Sequence, residues 1–195
     1  RRSSDLIYGI LFHNPNQLLT SYGAELYTAL DKYKQKDIIS KIGISIYSPS
    51  QLDLLLPKFS IDIVQTPFNL IDRRILNSGW LEKLSNKNIE IHVRSVFLQG
   101  LLLMPHSNIP NKFSNWDSVW MKWNNWLSDN KVSAVHACLS FVESFKEVDK
   151  IIVGVDSLNH FEQIIQAMQK LPITNIINIE SQDELLINPS NWNVK

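Results

Sequence analysis

Apolar residues gather in five short, near-continuous runs: Leu6 to Phe12, Lys41 to Ile46, Ile61 to Gln65, Ile89 to Arg94 and Lys150 to Val155. Runs of this length without regular polar alternation belong to strands covered on both faces. Between them the apolar spacing changes to three and four. Ala24 to Tyr33 places Leu26, Ala29, Leu30 and Tyr33 on one side of a helix. Pro49 to Leu56 follows Ser48, which predicts a serine N-cap with proline in the first helical position. The same spacing predicts helices over Arg73 to Ser85, Asp117 to Leu127, Ser133 to Phe145 and Phe161 to Lys170.

Strands alternating with helices of this length build βαβ units, so the predicted class is α/β with a parallel sheet. Two layouts satisfy that pattern, an open doubly wound sheet and a stretch of a (β/α)8 barrel. No strand is followed by a G-x-G-x-x-G turn, the dinucleotide signature of the open sheet. Polar residues instead collect where the runs end: His13 and Asn14, Ser45, Gln65 with Asn69, Arg94 and Ser95, Asp156 and Ser157. In a barrel those ends meet around one mouth. The expectation is therefore a parallel (β/α)8 TIM barrel, incomplete at about five βα units, because closure takes about 250 residues. The whole chain, 1–195, is read as a single domain.

The longest connection, Gln99 to Asn115, carries Pro105 and Pro110 and leads into a helix bearing Trp116, Trp120, Trp123 and Trp126. A long ordered loop at a barrel mouth often forms part of a substrate pocket. Spacing of three and four makes Trp116, Trp120 and Trp123 a buried helix face.

Composition narrows the partners. Lysine plus arginine equals aspartate plus glutamate at 19 each, so no overall field draws the chain to nucleic acid or an anionic membrane. An apolar share of 44% suits a sizeable core, and no apolar stretch approaches the length that spans a bilayer. The single cysteine, Cys138, excludes an intrachain disulfide or a cysteine zinc cluster and fits a reducing cytoplasm. No histidine pair has the spacing of a helix-borne metal site, so no metal is expected. The chain opens on Arg-Arg-Ser-Ser-Asp and enters a strand within five residues. That reads as a chain joined midway, although a processed N-terminus produces the same appearance.

Taken singly, each polar strand end has two readings. His13 can donate a hydrogen bond to a substrate carbonyl or take part in proton transfer, or it can be a loop histidine satisfying a neighbouring carbonyl. Ser45 and Gln65 together offer the donors and acceptors that recognise a carboxamide, or they cap strand ends. Arg94 and Ser95, followed by Phe97, Gln99 and Gly100, suit a phosphate. Gly154 with Asp156, Ser157 and the helix beyond suits a second phosphate or a plain helix cap.

The order of these elements, from Leu6 to about Gln169, resembles the aldo/keto reductase family. The matching stretches are Leu11-Phe12-His13-Asn14-Pro15, Lys41-Ile42-Gly43-Ile44-Ser45, Val64-Gln65-Thr66-Pro67-Phe68-Asn69-Leu70, Arg94 through Leu102, and Ile152-Val153-Gly154. The resemblance implies that the chain supplies strands four to eight of the barrel and lacks the first three. It implies an NAD(P)H-dependent oxidoreductase moving hydride between nicotinamide and a small carbonyl or alcohol substrate, in a truncated copy inactive by itself. Of the family's catalytic aspartate, tyrosine, lysine and histidine, only the histidine matches, as His13. The other three would lie upstream, so Tyr8, Tyr22 and Tyr47 are not given the proton donor's role.

For the cofactor, the resemblance assigns Ser45 and Gln65 to the nicotinamide carboxamide and Ser95 and Phe97 to the pyrophosphate. It assigns the stretch from Gly154 to Gln163, including Ser157 and His160, to the adenosine end. Three positions depart from the family's pattern. Ile46 stands where an asparagine is common, Arg94 where many members place an aromatic ring, and Ser157 and His160 where NADP users are often basic. NADP is expected because the family favours it, with NAD possible. The rivals are a non-catalytic nucleotide-binding or regulatory protein on the same fold, and an unrelated barrel such as a phosphate-binding lyase or isomerase.

Overall fold

The computed structural model describes residues 7–170 and 172–192. Strands β1 (Ile7–Phe12), β2 (Ile39–Ser45), β3 (Ile63–Pro67), β4 (Glu90–Arg94) and β5 (Lys150–Ile151) alternate with helices. Their order in the sheet is the order of sequence, β1-β2-β3-β4-β5. This decides between the two layouts open at the level of pattern. A doubly wound sheet reverses its strand order at a switch point, whereas a barrel adds each strand beside the last. The register is parallel, with Phe12 opposite Ile44 and Ser45 opposite Gln65.

By contacts the chain divides into two compact units. Among the described residues the first comprises 7–67 and 74–93, the second 68–73, 94–170 and 172–192. In the first, α1 (Gly23–Gln35), α2 (Ser50–Leu55), α3 (Arg74–Asn77) and α4 (Trp80–Asn86) accompany the strands. Its core is aliphatic: Ile42, Ile44, Leu52, Leu55, Val64, Leu84, Ile91 and Val93 are fully buried. Each contributes about 1.5–3 kcal/mol through burial.

Two helix expectations are corrected here. Ser48 is not the cap of α2. Gln51 reaches back instead, its Oε1 accepting from the N–H groups of Tyr47 (2.8 Å) and Ser48 (3.2 Å). The single helix expected over Arg73 to Ser85 is two, because Ser78 and Gly79 intervene and Gly79 turns to φ 72°, a conformation glycine adopts without Cβ strain.

The second unit contains α5 (Asp117–Asn130), α6 (Ala134–Glu143), α7 (Leu158–Met168) and α8 (Glu184–Ile187). Phe68, Leu70, Ile71, Leu98, Leu102, Trp120, Trp123 and Val142 are its buried centre. The connection from Gln99 to Asn115 is a chain of short 3-10 turns, Leu101–Leu103, His106–Asn108 and Asn111–Trp116. Trp120 and Trp123 are buried as their spacing predicts, each indole N–H donating to a carbonyl, of Phe113 (3.1 Å) and Leu102 (2.9 Å). Trp116 is only half-buried and donates to Asp183 at 3.1 Å.

The strand expected over Lys150 to Val155 stops at Ile151, and Ile152 and Val155 are exposed. An apolar run sustains a strand only where a ladder covers it. Leu6, expected to open the first strand, lies outside the described residues. Among the described residues no helix is long and apolar enough to cross a membrane.

Candidate functional site

In the first unit the polar ends of β1, β2 and β3 form a row. Ser45 closes β2, 1% exposed, and its hydroxyl donates to Gln65 Oε1 on β3 at 3.0 Å. The two residues are register partners, so adjacent parallel strands about 4.8 Å apart present them side by side. His13 stands one residue beyond Phe12, whose register partner Ile44 precedes Ser45. It is exposed and makes no hydrogen bond among the described residues.

Ser45 and Gln65 suit a carboxamide. The Ser45 hydroxyl spends its proton on Gln65 and keeps lone pairs to accept, while the half-buried Gln65 amide keeps Nε2 to donate. One acceptor beside one donor complements the donor and acceptor of a primary amide. Ile46 is fully buried and adds no polar contact.

The same face carries a second polar group that the apolar-run reading overlooked. Glu90 Oε1 accepts from the Tyr8 hydroxyl and the Lys41 ammonium, and Glu90 Oε2 lies 3.1 Å from His92 Nε2. Burial alone would raise the Glu90 carboxyl's pKa, but the hydrogen bonds from Lys41, Tyr8 and His92 outweigh it and hold it near about 2. The bond to Glu90 in turn raises Lys41. Lys41 and Ser45 lie four residues apart on β2, on one face, about 13 Å along the strand. The network thus ties β1, β2 and β4 near their N-terminal ends, away from Ser45. Its signal in sequence was period two, Lys41-x-Gly43-x-Ser45 and Glu90-x-His92-x-Arg94.

In the second unit Arg94 and Ser95 meet, Nη1 donating to Oγ at 3.3 Å, and both are half-buried, as is Phe97. The backbone here is unusual: Ser95, Leu98, Gln99 and Gly100 have φ of 59°, 46°, 54° and 87°. Non-glycine residues in this region cost about 1–3 kcal/mol each and persist where their surroundings impose them, often at ligand sites. Asn69 is part of those surroundings. It is 1% exposed, and its Nδ2 donates to the Ser95 carbonyl at 3.0 Å.

Further along the second unit, Gly154, Ser157, His160 and Gln163 are all exposed. A Cβ on Gly154 would meet nothing within 4 Å, so protein packing does not demand glycine there. Ser157 caps α7, its Oγ accepting from His160 N–H at 3.2 Å. The plain cap is realised, and the His160 ring stays at the surface. No hydrogen bond links Gly154 or Gln163 to the Arg94–Ser95 pair among the described residues.

Comparison with known proteins sets these residues in a family. A model of the Aldo/keto reductase family matches residues 7–184. No curated protein matches the chain. Among solved structures, an aldo-keto reductase of Bacillus halodurans in its holo form aligns at TM-score 0.65 with 18% identity, over 87% of this chain and 58% of that one. Its apo form gives 0.66, 18%, 87% and 59%. A thermostable aldo-keto reductase in complex with the inhibitor epalrestat gives 0.62, 16%, 86% and 56%. Such identities speak for the fold alone, and the chain spans only 56–59% of these proteins' length. With the family model covering nearly all of its described residues, and a parallel sheet in sequence order, the chain belongs to the aldo/keto reductase family.

Proposed function

We propose that the chain is part of an NAD(P)H-dependent oxidoreductase acting on a small carbonyl or alcohol, with NADP the favoured dinucleotide. The observation that carries this reading is the Ser45–Gln65 pair, an acceptor and a donor fixed side by side at register partners. When bound, the nicotinamide supplies or receives the hydride. The chain's own residues bind and orient. Ser45 would accept from the carboxamide N–H and Gln65 Nε2 would donate to its oxygen. His13, open to solvent at the end of β1, donates an N–H to the substrate carbonyl and polarises it. Arg94, Ser95 and Phe97 serve the phosphates, with Gly154, Ser157, His160 and Gln163 toward the adenosine. Of the family's catalytic residues only His13 is matched, so the 195-residue chain by itself is expected to reduce no carbonyl.

The test is titration of the purified chain with NADPH and NADH, read as energy transfer from its tryptophans to the reduced nicotinamide. Saturable binding is expected, and Ser45→Ala or Gln65→Leu should each weaken it about fivefold, the worth of about 1 kcal/mol of hydrogen bonding. No saturable signal with either nucleotide, or unchanged affinity in both variants, sinks the reading. NADPH-dependent turnover by the chain alone would overturn its inactivity.

A further inference from the structure

We propose that Asn69, not itself a ligand contact, is the positioning residue for an anion-binding backbone at Ser95 to Gly100; this rests on the reading that Ser95 faces the cofactor's phosphates. Asn69 is buried to 1% exposure in the short turn after β3. Its Oδ1 accepts from the N–H groups of Ile71 (2.9 Å) and Asp72 (2.8 Å), and its own N–H donates to the Asp72 carbonyl at 3.1 Å. That closes the turn and aims Nδ2 at one target, the carbonyl of Ser95, 3.0 Å away. A second tie lies beside it, Phe68 N–H donating to the Arg94 carbonyl at 3.1 Å.

The Ser95 carbonyl also accepts from Leu98 N–H at 2.8 Å. Asn69 therefore holds the peptide oxygen around which the loop turns, with Ser95 itself at φ 59° and Leu98, Gln99 and Gly100 following in the same region. Without that bond Ser95 is free to relax toward the negative φ that a side chain prefers. Its hydroxyl, its neighbours' N–H groups and the Arg94 guanidinium bonded to it would then move together. A buried amide of Asn69's length is required because it must accept twice on one side and donate on the other.

The experiment uses Asn69→Ser, which adds no charge and keeps a short acceptor for Ile71 and Asp72 but cannot reach Ser95; Asn69→Thr replaces it if the smaller side chain prevents folding. Inorganic pyrophosphate and NADPH are titrated separately into isotope-labelled chain, following the amide signals of Ser95 to Gly100. In the parent, pyrophosphate should shift those signals, and the variant should bind both ligands about tenfold more weakly. The same substitution in a Ser95→Gly background should cost about twofold or less, since glycine adopts φ 59° without the clamp. A general loss of structure would cost the same in both backgrounds.

Equal pyrophosphate affinity in variant and parent, equal losses in both backgrounds, or no response of Ser95 to Gly100 in the parent overturns the proposal. Pyrophosphate binding that depends on Asn69 without NADPH binding supports the clamp and removes the dinucleotide reading. NADPH binding indifferent to Asn69 does the reverse.

Discussion

Replacing Glu90 by glutamine is expected to cost about 2 kcal/mol of stability at neutral pH and almost nothing near pH 2. The carboxylate accepts from Tyr8 and Lys41 through one oxygen and faces His92 at 3.1 Å through the other. Its folded pKa falls from 4.5 to about 2. At 1.36 kcal/mol per unit this is worth about 3 kcal/mol, and partial solvent screening brings it to about 2. The side chains of Glu90 and Lys41 are 20% and 30% exposed, so some screening applies.

The sign follows from the depression. The unfolded chain binds the proton more readily, so the contribution is complete above about pH 4.5 and is lost as pH falls toward about 2. Urea unfolding of parent and Glu90→Gln at a series of pH values reads the effect directly. The gap in stability should be largest at pH 6 to 7 and close on acidification, because the protonated parent and the amide are then alike. At neutral pH it should lower Tm by about 4–8 °C. A gap that stays constant down to pH 2.5 would refute the reasoning, since it would show that Glu90 acts through shape and not through charge.

Two further outcomes follow from packing. Gly43→Ala should destabilise by about 1–3 kcal/mol, because its Cβ would lie 2.8 Å from the Ile63 carbonyl oxygen and 2.9 Å from Ile63 Cβ. Gly9→Ala should cost clearly less, its nearest atom being the movable Ile63 Cδ1 at 2.8 Å; thermal melts compare the two, and equal losses would contradict the geometry. Cys138 is buried and its thiol is pushed well above the ordinary range by burial. The native chain should therefore resist a thiol reagent at pH 8 and react promptly in urea; fast labelling of folded protein would refute this.

Much of the fold was legible along the chain because its cause is local. Near-continuous apolar runs marked where all five strands lie, the fifth only in part, and spacing of three and four marked Trp120 and Trp123 as buried. The alternation made the class α/β; the missing glycine-rich turn and the polar strand ends favoured the barrel, and strand order bore that out. Boundaries followed less faithfully. Ser48 does not cap α2, Gln51 instead accepting from the N–H groups of Tyr47 and Ser48 ahead of the helix, and Gly79 divided a helix whose apolar spacing ran on through it. At the candidate site, Ser45 and Gln65 were recognisable as strand ends, yet each singly read as a cap.

What the sequence by itself determined is the set of elements and the polar residues at their ends, since periodicity and turn chemistry act over a few residues. Only the tertiary structure decided which of those residues meet. Ser45 reaches Gln65 across 20 positions, Asn69 reaches Ser95 across 26 and Tyr8 reaches Glu90 across 82. Such pairings depend on strand register and loop path, and within the strands a shift of one residue would turn a side chain to the other face. The left-handed backbone at Ser95 belongs to the same class: no local preference asks a serine for it, and a buried amide from another loop holds it there.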